Sequence, residues 1–263
     1  ALSGGRFELG LGTQIKQNIE DRYSARWLPP AAGMREYLGA LRAIFHSFRT
    51  REPLNFVGEY YRFTRLQPFF NPGPIDAPDV PIMLGAVGPK MLNLVGEAAD
   101  GMHTHPTNTS ARYLREAILP QVAAGAARRA PGLPPPMICA NELVASGPDD
   151  ATVGFERERF RGMLAFLFST PAYWPSLELF GWQDIGERLL QMTREGRWQE
   201  MPSLLSDAVV DEFLVSGRFE VLPEVLASRF QGLVQRITLT VPPQPENDRA
   251  NAAAIEAIRR RLS

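Results

Sequence analysis

The chain has 263 residues, 44% apolar and 22% charged, and its 28 basic side chains nearly balance 29 acidic ones. A formal charge of −1 gives no basic field for a nucleic acid or an anionic membrane, and no apolar run approaches the roughly 18 residues of a spanning helix. One cysteine, Cys139, can form neither an internal disulfide nor a cysteine-based metal cluster, so the expectation is a cytoplasmic α/β enzyme acting on a small molecule.

The opening Ala1-Leu2-Ser3-Gly4-Gly5-Arg6 carries no initiator Met and no signal peptide. Ser3-Gly4-Gly5 reads as the end of a helix and a turn, so structure upstream is expected to be missing. A first strand is expected from Arg6 to Gly12. A helix follows from Met34 to Phe48, with Tyr37, Leu38, Leu41, Ile44 and Phe45 on one face. Leu54 to Thr64 reads as a hairpin around Val57-Gly58-Glu59. A connector containing Pro68, Pro72, Pro74, Pro78 and Pro81 forbids regular structure and leads to a strand from Pro81 to Ala86. The next helix, Pro89 to Ala99, opens on a proline suited to a first turn. Asp100 to His105 reads as a strand and Ser110 to Arg129 as a helix.

Past the proline-rich loop Ala130 to Pro136, Met137 to Ala145 reads as a strand, and Asp149 and Asp150 offer caps to a helix running toward Phe168. A helical insertion is expected around residues 155–205, where Tyr173, Trp174, Leu177, Leu179, Phe180 and Trp182 supply an apolar face. Its aromatic cluster, Phe166 to Trp182, either walls a substrate pocket or forms core, and core is the preferred reading. Helices near Ser206 to Val215 and Pro223 to Phe230 precede a last strand, Val234 to Val241, which Pro242 and Pro243 stop. A terminal helix ends in Arg259-Arg260-Arg261. Five strands with no tight turns between neighbours imply parallel pairing through right-handed crossovers, in a doubly wound sheet or a barrel. Five strands cannot close a barrel of eight, and a missing N-terminal part would supply the other three. The expected organisation is one domain over residues 1–263.

Three segments carry candidate chemistry. Gly10-Leu11-Gly12-Thr13-Gln14, with Asn18 after it, ends the first strand, where a parallel α/β fold presents polar groups to ligands; a purely structural turn is the alternative. Leu84-Gly85-Ala86-Val87-Gly88-Pro89 runs from a strand through glycines into a helix start, a seat for phosphate, although it is neither a P-loop nor a dinucleotide fingerprint. Alternation puts His103 and His105 on one strand face. With His46 the only other histidine, a place at a barrel mouth is preferred to a metal site, and a packed histidine stays open. Cys139 reads as core, and of Asn141 and Glu142 one must face away from a barrel interior.

Taken in order, these stretches resemble the bacterial-luciferase-like oxidoreductases: Ser3-Gly4-Gly5-Arg6-Phe7 through Gly10-Leu11-Gly12-Thr13, Met34-Arg35-Glu36-Tyr37, Leu41-Arg42-Ala43-Ile44, Gly58-Glu59-Tyr60-Tyr61, Pro81-Ile82-Met83-Leu84-Gly85 and Gly88-Pro89 through Asp100-Gly101. Thr13-Gln14, His103, His105, Ser169-Thr170-Pro171-Ala172-Tyr173, Gly181-Trp182 and Gly196-Arg197-Trp198 are similar to a subgroup dependent on the deazaflavin coenzyme F420. The resemblance implies a (β/α)8 TIM barrel, N-terminally incomplete here with about five of eight strands. It also implies a homodimer, and F420 or, alternatively, FMN at the barrel mouth. Cofactor contacts carried over are Thr13, Asn18, Gly85, Ala86, Val87, Gly88 and Pro89, with His103 and His105 near the mouth. Histidine is familiar at the position of Asn18, so no catalytic acid or base is assigned. In the family, ring contacts also come from the first three strands. The implied reaction is hydride transfer between F420 and a small organic substrate. An FMN-dependent monooxygenase, a truncated non-catalytic barrel fragment and a metal-dependent hydrolase built on His103 and His105 are the alternatives.

Overall fold

Gly4 and Gly5, at φ 58° and 80°, turn the backbone toward strand β1 (Leu9–Leu11), which is shorter than the Arg6 to Gly12 expected. The computed structural model describes residues 2–76, 79–239 and 244–262. They divide into two units, Ala1–His103 with Gln121–Pro136, and Thr104–Pro120 with Met137–Ser263.

In the first unit, helix α1 (Pro30–Thr50) begins four residues before the expected Met34, because Pro30 occupies the first turn where its missing N–H costs nothing. Strands β2 (Phe56–Val57) and β3 (Arg62–Phe63) form the expected antiparallel hairpin. Glu36 of α1 holds its tip: the carboxylate accepts from the backbone N–H of Glu59 (2.9 Å), Tyr60 (2.8 Å) and Tyr61 (2.5 Å). A Cβ on Gly58 would overlap that carboxylate, so a side chain there would push Glu36 away from its three bonds. Strand β4 (Ile82–Gly85) lies parallel to β1, with Leu11 opposite Leu84, and Pro78 of the preceding connector falls outside the described residues. Helix α2 (Pro89–Ala98) and strand β5 (Gly101–His103) follow, β5 parallel to β4. Asp100 fastens the turn between them by accepting from the Ile82 N–H at 2.8 Å while Arg42 of α1 lies 3.3 Å away.

The helix expected from Ser110 to Arg129 is built in three pieces: α3 (Ala111–Tyr113), a π turn over Leu114–Ile118 and α4 (Leu119–Ala126). Ser110 caps it by accepting from the Tyr113 N–H. The π turn ends two residues before Pro120, whose ring and missing N–H the regular ladder cannot accommodate. Gly96 of α2 and Gly125 let two backbones touch: a Cβ on either would collide with the opposite main chain.

After Thr104–Pro120, the second unit continues with β6 (Met137–Gly147), longer than expected, and α5 (Asp150–Phe168), capped by Asp149 through the Thr152 N–H at 2.8 Å. Helices α6 (Trp174–Leu179) and α7 (Gln183–Arg194) occupy the expected helical region. After α8 (Asp207–Phe213) comes an unexpected strand, β7 (Leu214–Arg218), where the sequence reading continued the helix to Val215. Leu214 and Val215 are each only 2% exposed, and a strand buried on both faces has no alternation to betray it. Helix α9 (Leu222–Phe230), strand β8 (Arg236–Leu239) and helix α10 (Asp248–Leu262) complete the unit. The expected end of the last strand at Thr240–Val241 and its stop at Pro242-Pro243 lie outside the described residues. Strand β6 pairs in parallel with β8 through Cys139–Glu142 and with β7 through Leu143–Gly147. The parallel strands therefore number six among the described residues, not five: three in each unit.

The second unit's core gathers Phe160, Leu164 and Phe168 of α5, Leu177, Leu189 and Phe213, with Tyr173, Trp174, Phe180 and Trp182 packed against it. The aromatic cluster is thus core, apart from Phe166, which is exposed. Cys139 is buried as expected.

Candidate functional site

Parallel pairing brings the C-terminal ends of β1, β4 and β5 together in the first unit, with Leu11 opposite Leu84 and Gly85 opposite His103. Beyond those ends come the two expected segments. Thr13 follows β1, and Gln14 takes a left-handed φ of 57°. The Asn18 amide donates to the Gln14 side chain at 3.3 Å, bracing the loop.

On the neighbouring strand, Gly85 to Gly88 turns into α2. Gly88 is the N-cap at φ −82°, ψ 157°, and no side chain caps the helix. Met91 and Leu92 both donate to the Gly88 carbonyl at 3.0 Å, and Pro89 carries no N–H, so the Lys90 N–H is left without an intrahelical partner at the positive end of the helix dipole. A Cβ on Gly88 would meet nothing within 4 Å, and one on Gly85 only the Leu11 carbonyl oxygen at 3.7 Å. The chain's own packing needs neither glycine, so the space above the turn is open to an incoming group. Lys90 adds a cation that, among the described residues, no hydrogen bond or ion pair engages. An open cleft of about 610 Å³ runs from Pro89 and Lys90 past Arg35 and Arg128. Arg35 is held by both oxygens of Glu97 (2.7 and 2.9 Å), and that bond pulls the Glu97 pKa below the ordinary carboxylate range. Backbone donors, a helix N-terminus and a free lysine are a donor set that suits a phosphate group.

A second cleft, of about 310 Å³, lies beside Gly12 and Thr13. Arg26 and Trp27 line it from the loop after β1, Pro30, Met34 and Tyr37 from α1, and Tyr61 from the hairpin. The sequence reading did not single out Arg26, Trp27, Tyr37 or Tyr61 as a site. The one local signal was Trp27 in a loop that runs into Pro29-Pro30.

The structure separates the two histidines. His103 ends β5, half-buried, beside Gly85. His105 lies beyond the strand, which stops at His103, so the two do not share a strand face as expected. Pro106 blocks further pairing, and His105 instead caps the 3-10 turn Pro106–Asn108 of the second unit. Its Nδ1 lies 2.8 Å from the Thr107 hydroxyl, and its ring stacks on Tyr173 with centroids 4.2 Å apart and planes 10° apart. Burial pushes its pKa down to about 4, so the imidazole is neutral at pH 7. Among the described residues, no three His, Cys, Asp or Glu side chains converge as metal ligands. No helix there is long and apolar enough to cross a membrane.

Of the polar pair on β6, Glu142 is the one turned toward the helices. Its side chain has no exposed surface, and its Oε1 lies 3.5 Å from the Arg229 Nε of α9. Burial outweighs that neighbour and raises its pKa to about 8.

Residues 1–236 match the family described as luciferase-like monooxygenases. The chain belongs to that family. A relative from Mycobacterium tuberculosis, an uncharacterized protein, is 37% identical to this luciferase-like chain over 235 residues, 89% of this chain and 69% of the relative. Another from the same organism, a putative coenzyme F420-dependent oxidoreductase, is 28% identical over 245 residues, covering 86% and 67%. The coenzyme F420-dependent tetrahydromethanopterin reductase of Methanopyrus kandleri superposes with a TM-score of 0.73 over 100% of this chain and 76% of that one, at 18% identity. That likeness is one of fold: the α/β barrel class of luciferase-like proteins, as the sequence reading expected.

Proposed function

We propose that the chain is an oxidoreductase that binds coenzyme F420 at the ends of β1 and β4 and passes a hydride between it and a small organic substrate. The observation that carries this reading is the adjacency of the Thr13 segment and the uncapped Gly85–Pro89 turn on paired parallel strands. Family membership supports oxidoreductase chemistry, and the relative named for F420 favours the deazaflavin. When bound, the deazaflavin supplies a two-electron hydride carrier; the protein's part is grip, orientation and exclusion of water. The Gly88 and Lys90 N–H groups at the start of α2 and the Lys90 ammonium hold the phosphate. Thr13 and Asn18 fix the loop over β1, and His103 borders Gly85. FMN, serving a monooxygenase as the family description has it, is the second reading, because the same donor set takes its phosphate. The homodimer implied by the resemblance belongs to the proposal and is read by sedimentation.

Thermal melts with F420 and with FMN test the cofactor. Ligand at about 100 times its dissociation constant adds roughly 2.7 kcal/mol, several degrees in Tm. Gly88→Asp sharpens the test: its backbone angles admit aspartate and its Cβ meets nothing, so the carboxylate becomes an N-cap while repelling phosphate. The expected outcome is a Tm equal to or slightly above that of the parent and no F420 shift. A variant that still responds to F420 overturns the phosphate assignment.

A further inference from the structure

The cleft beside Thr13 differs in character from the phosphate turn. Its walls are aromatic and apolar: Trp27, Tyr37 and Tyr61 stand around a floor that includes Leu11, Leu28 and Met34. Tyr37 and Tyr61 pack against each other with centroids 5.3 Å apart, and the Tyr61 backbone is fixed by Glu36. Pro29 and Pro30 stiffen the third side at the start of α1. Such walls lose little freedom when a ligand enters. A volume of about 310 Å³ lies at the lower end of the range for small-molecule sites.

The polar groups in that cleft are equally specific. Arg26 is the one ionisable group of opposite type to the tyrosines lining it, and no carboxylate does. Among the described residues, Arg26 makes no hydrogen bond or ion pair, and its charge acts on the Tyr60 hydroxyl, whose pKa it lowers against the larger effect of burial. Glu36, the carboxylate that holds the hairpin tip, is itself engaged by three backbone N–H groups. The guanidinium therefore keeps its donors for a ligand, in a planar fork that matches a carboxylate.

We propose that this cleft binds a planar aromatic carboxylate, its ring among Trp27, Tyr37 and Tyr61 and its charge on Arg26. In the oxidoreductase this would be the substrate side of the site next to Thr13, and only that assignment of role rests on the proposed function. Binding itself needs no cofactor.

The test is calorimetric titration of the cofactor-free chain with 1-naphthoate and with its neutral isostere, 1-naphthamide. Naphthoate is expected to bind at least tenfold tighter than the amide. Arg26→Gln, at an exposed and unpaired position, should leave the melt unchanged and erase the difference, whereas Arg26→Lys keeps part of it. Trp27→Leu should weaken both ligands. Equal affinities for acid and amide, a preference that survives Arg26→Gln, or no binding of either ligand overturns the proposal. F420 melts run in parallel separate the two claims. Naphthoate binding without an F420 shift leaves the cleft standing and removes the deazaflavin, and the converse removes only the cleft's ligand.

Discussion

The first unit sets glycines, prolines and half-buried rings at the ends of its strands, whereas the second fills the space beside its strands with fully buried ones. Phe160, Phe168, Phe213 and Phe230 are among its largest buried side chains, and Phe168 meets Phe213 edge to face at 4.9 Å. Around Gly85 and Gly88 a side chain would find open space, while around Gly186 it would strike the Trp174 indole. The contrast separates two uses of sequence. Backbone donors and open glycines leave room for a ligand at the cost of packing energy. Interlocking rings give stability and leave no room. If so, substitutions in the two units should divide cleanly between binding and folding.

The largest test is Phe168→Ala. Truncating a ring with 0% exposure removes its burial energy and leaves a cavity, so unfolding in urea should lose about 3–5 kcal/mol with an unchanged m-value. Arg26→Gln in the first unit should move the same curve by less than about 0.5 kcal/mol. Similar costs for the two would break the comparison.

Where signals are local, the sequence was legible. The hairpin announced itself by its glycine, α2 by Pro89 and α5 by Asp149, because each depends on chemistry within a few residues. Strand β7 was invisible: five residues, of which only Leu214 and Val215 are buried, directly joined to a seven-residue helix, offer no period to read. The phosphate turn could be read because a strand, two glycines and a helix start are contiguous. The aromatic cleft could not, since Arg26, Tyr37 and Tyr61 come from a loop, a helix and a hairpin that only the fold assembles. The histidine pair misled for a related reason. Alternation assumes a strand, and Pro106 ends it before His105.

Glu142 tests the second unit's dryness. With a pKa near 8 when folded, against about 4.3 unfolded, the carboxyl binds its proton more tightly in the native state. Its stabilising contribution is therefore fully present below about pH 4.3 and is lost as pH rises toward 8, a change of a few kcal/mol. Glu142→Gln, neutral throughout, should flatten that part of the profile in urea melts run between pH 5 and 8. A parent profile as flat as the variant's would mean that Arg229 keeps the carboxylate ionised, and that this unit tolerates a buried ion pair.

The smallest effect belongs to His105, where the two uses of sequence meet in one side chain. Its pKa is lowered, so the sign is opposite to that of Glu142: the stabilising contribution is present above about pH 6.5 and is lost as pH falls toward 4. The Thr107 N–H points at Nδ1 at 3.4 Å, which assigns the acceptor role to Nδ1 and the proton to Nε2. Proton NMR of the imidazoles, assigned with His46 and His103 variants, should find one ring with a midpoint near 4. Tyr173→Ala removes the stacked ring and should move that midpoint up toward 6.5. A parent midpoint already near 6.5 would place His105 with the solvated groups. A low midpoint that rises when Tyr173 is cut makes it a neutral donor held by the aromatic core, so that the second unit too presents a polar atom, fixed by packing rather than by an open backbone.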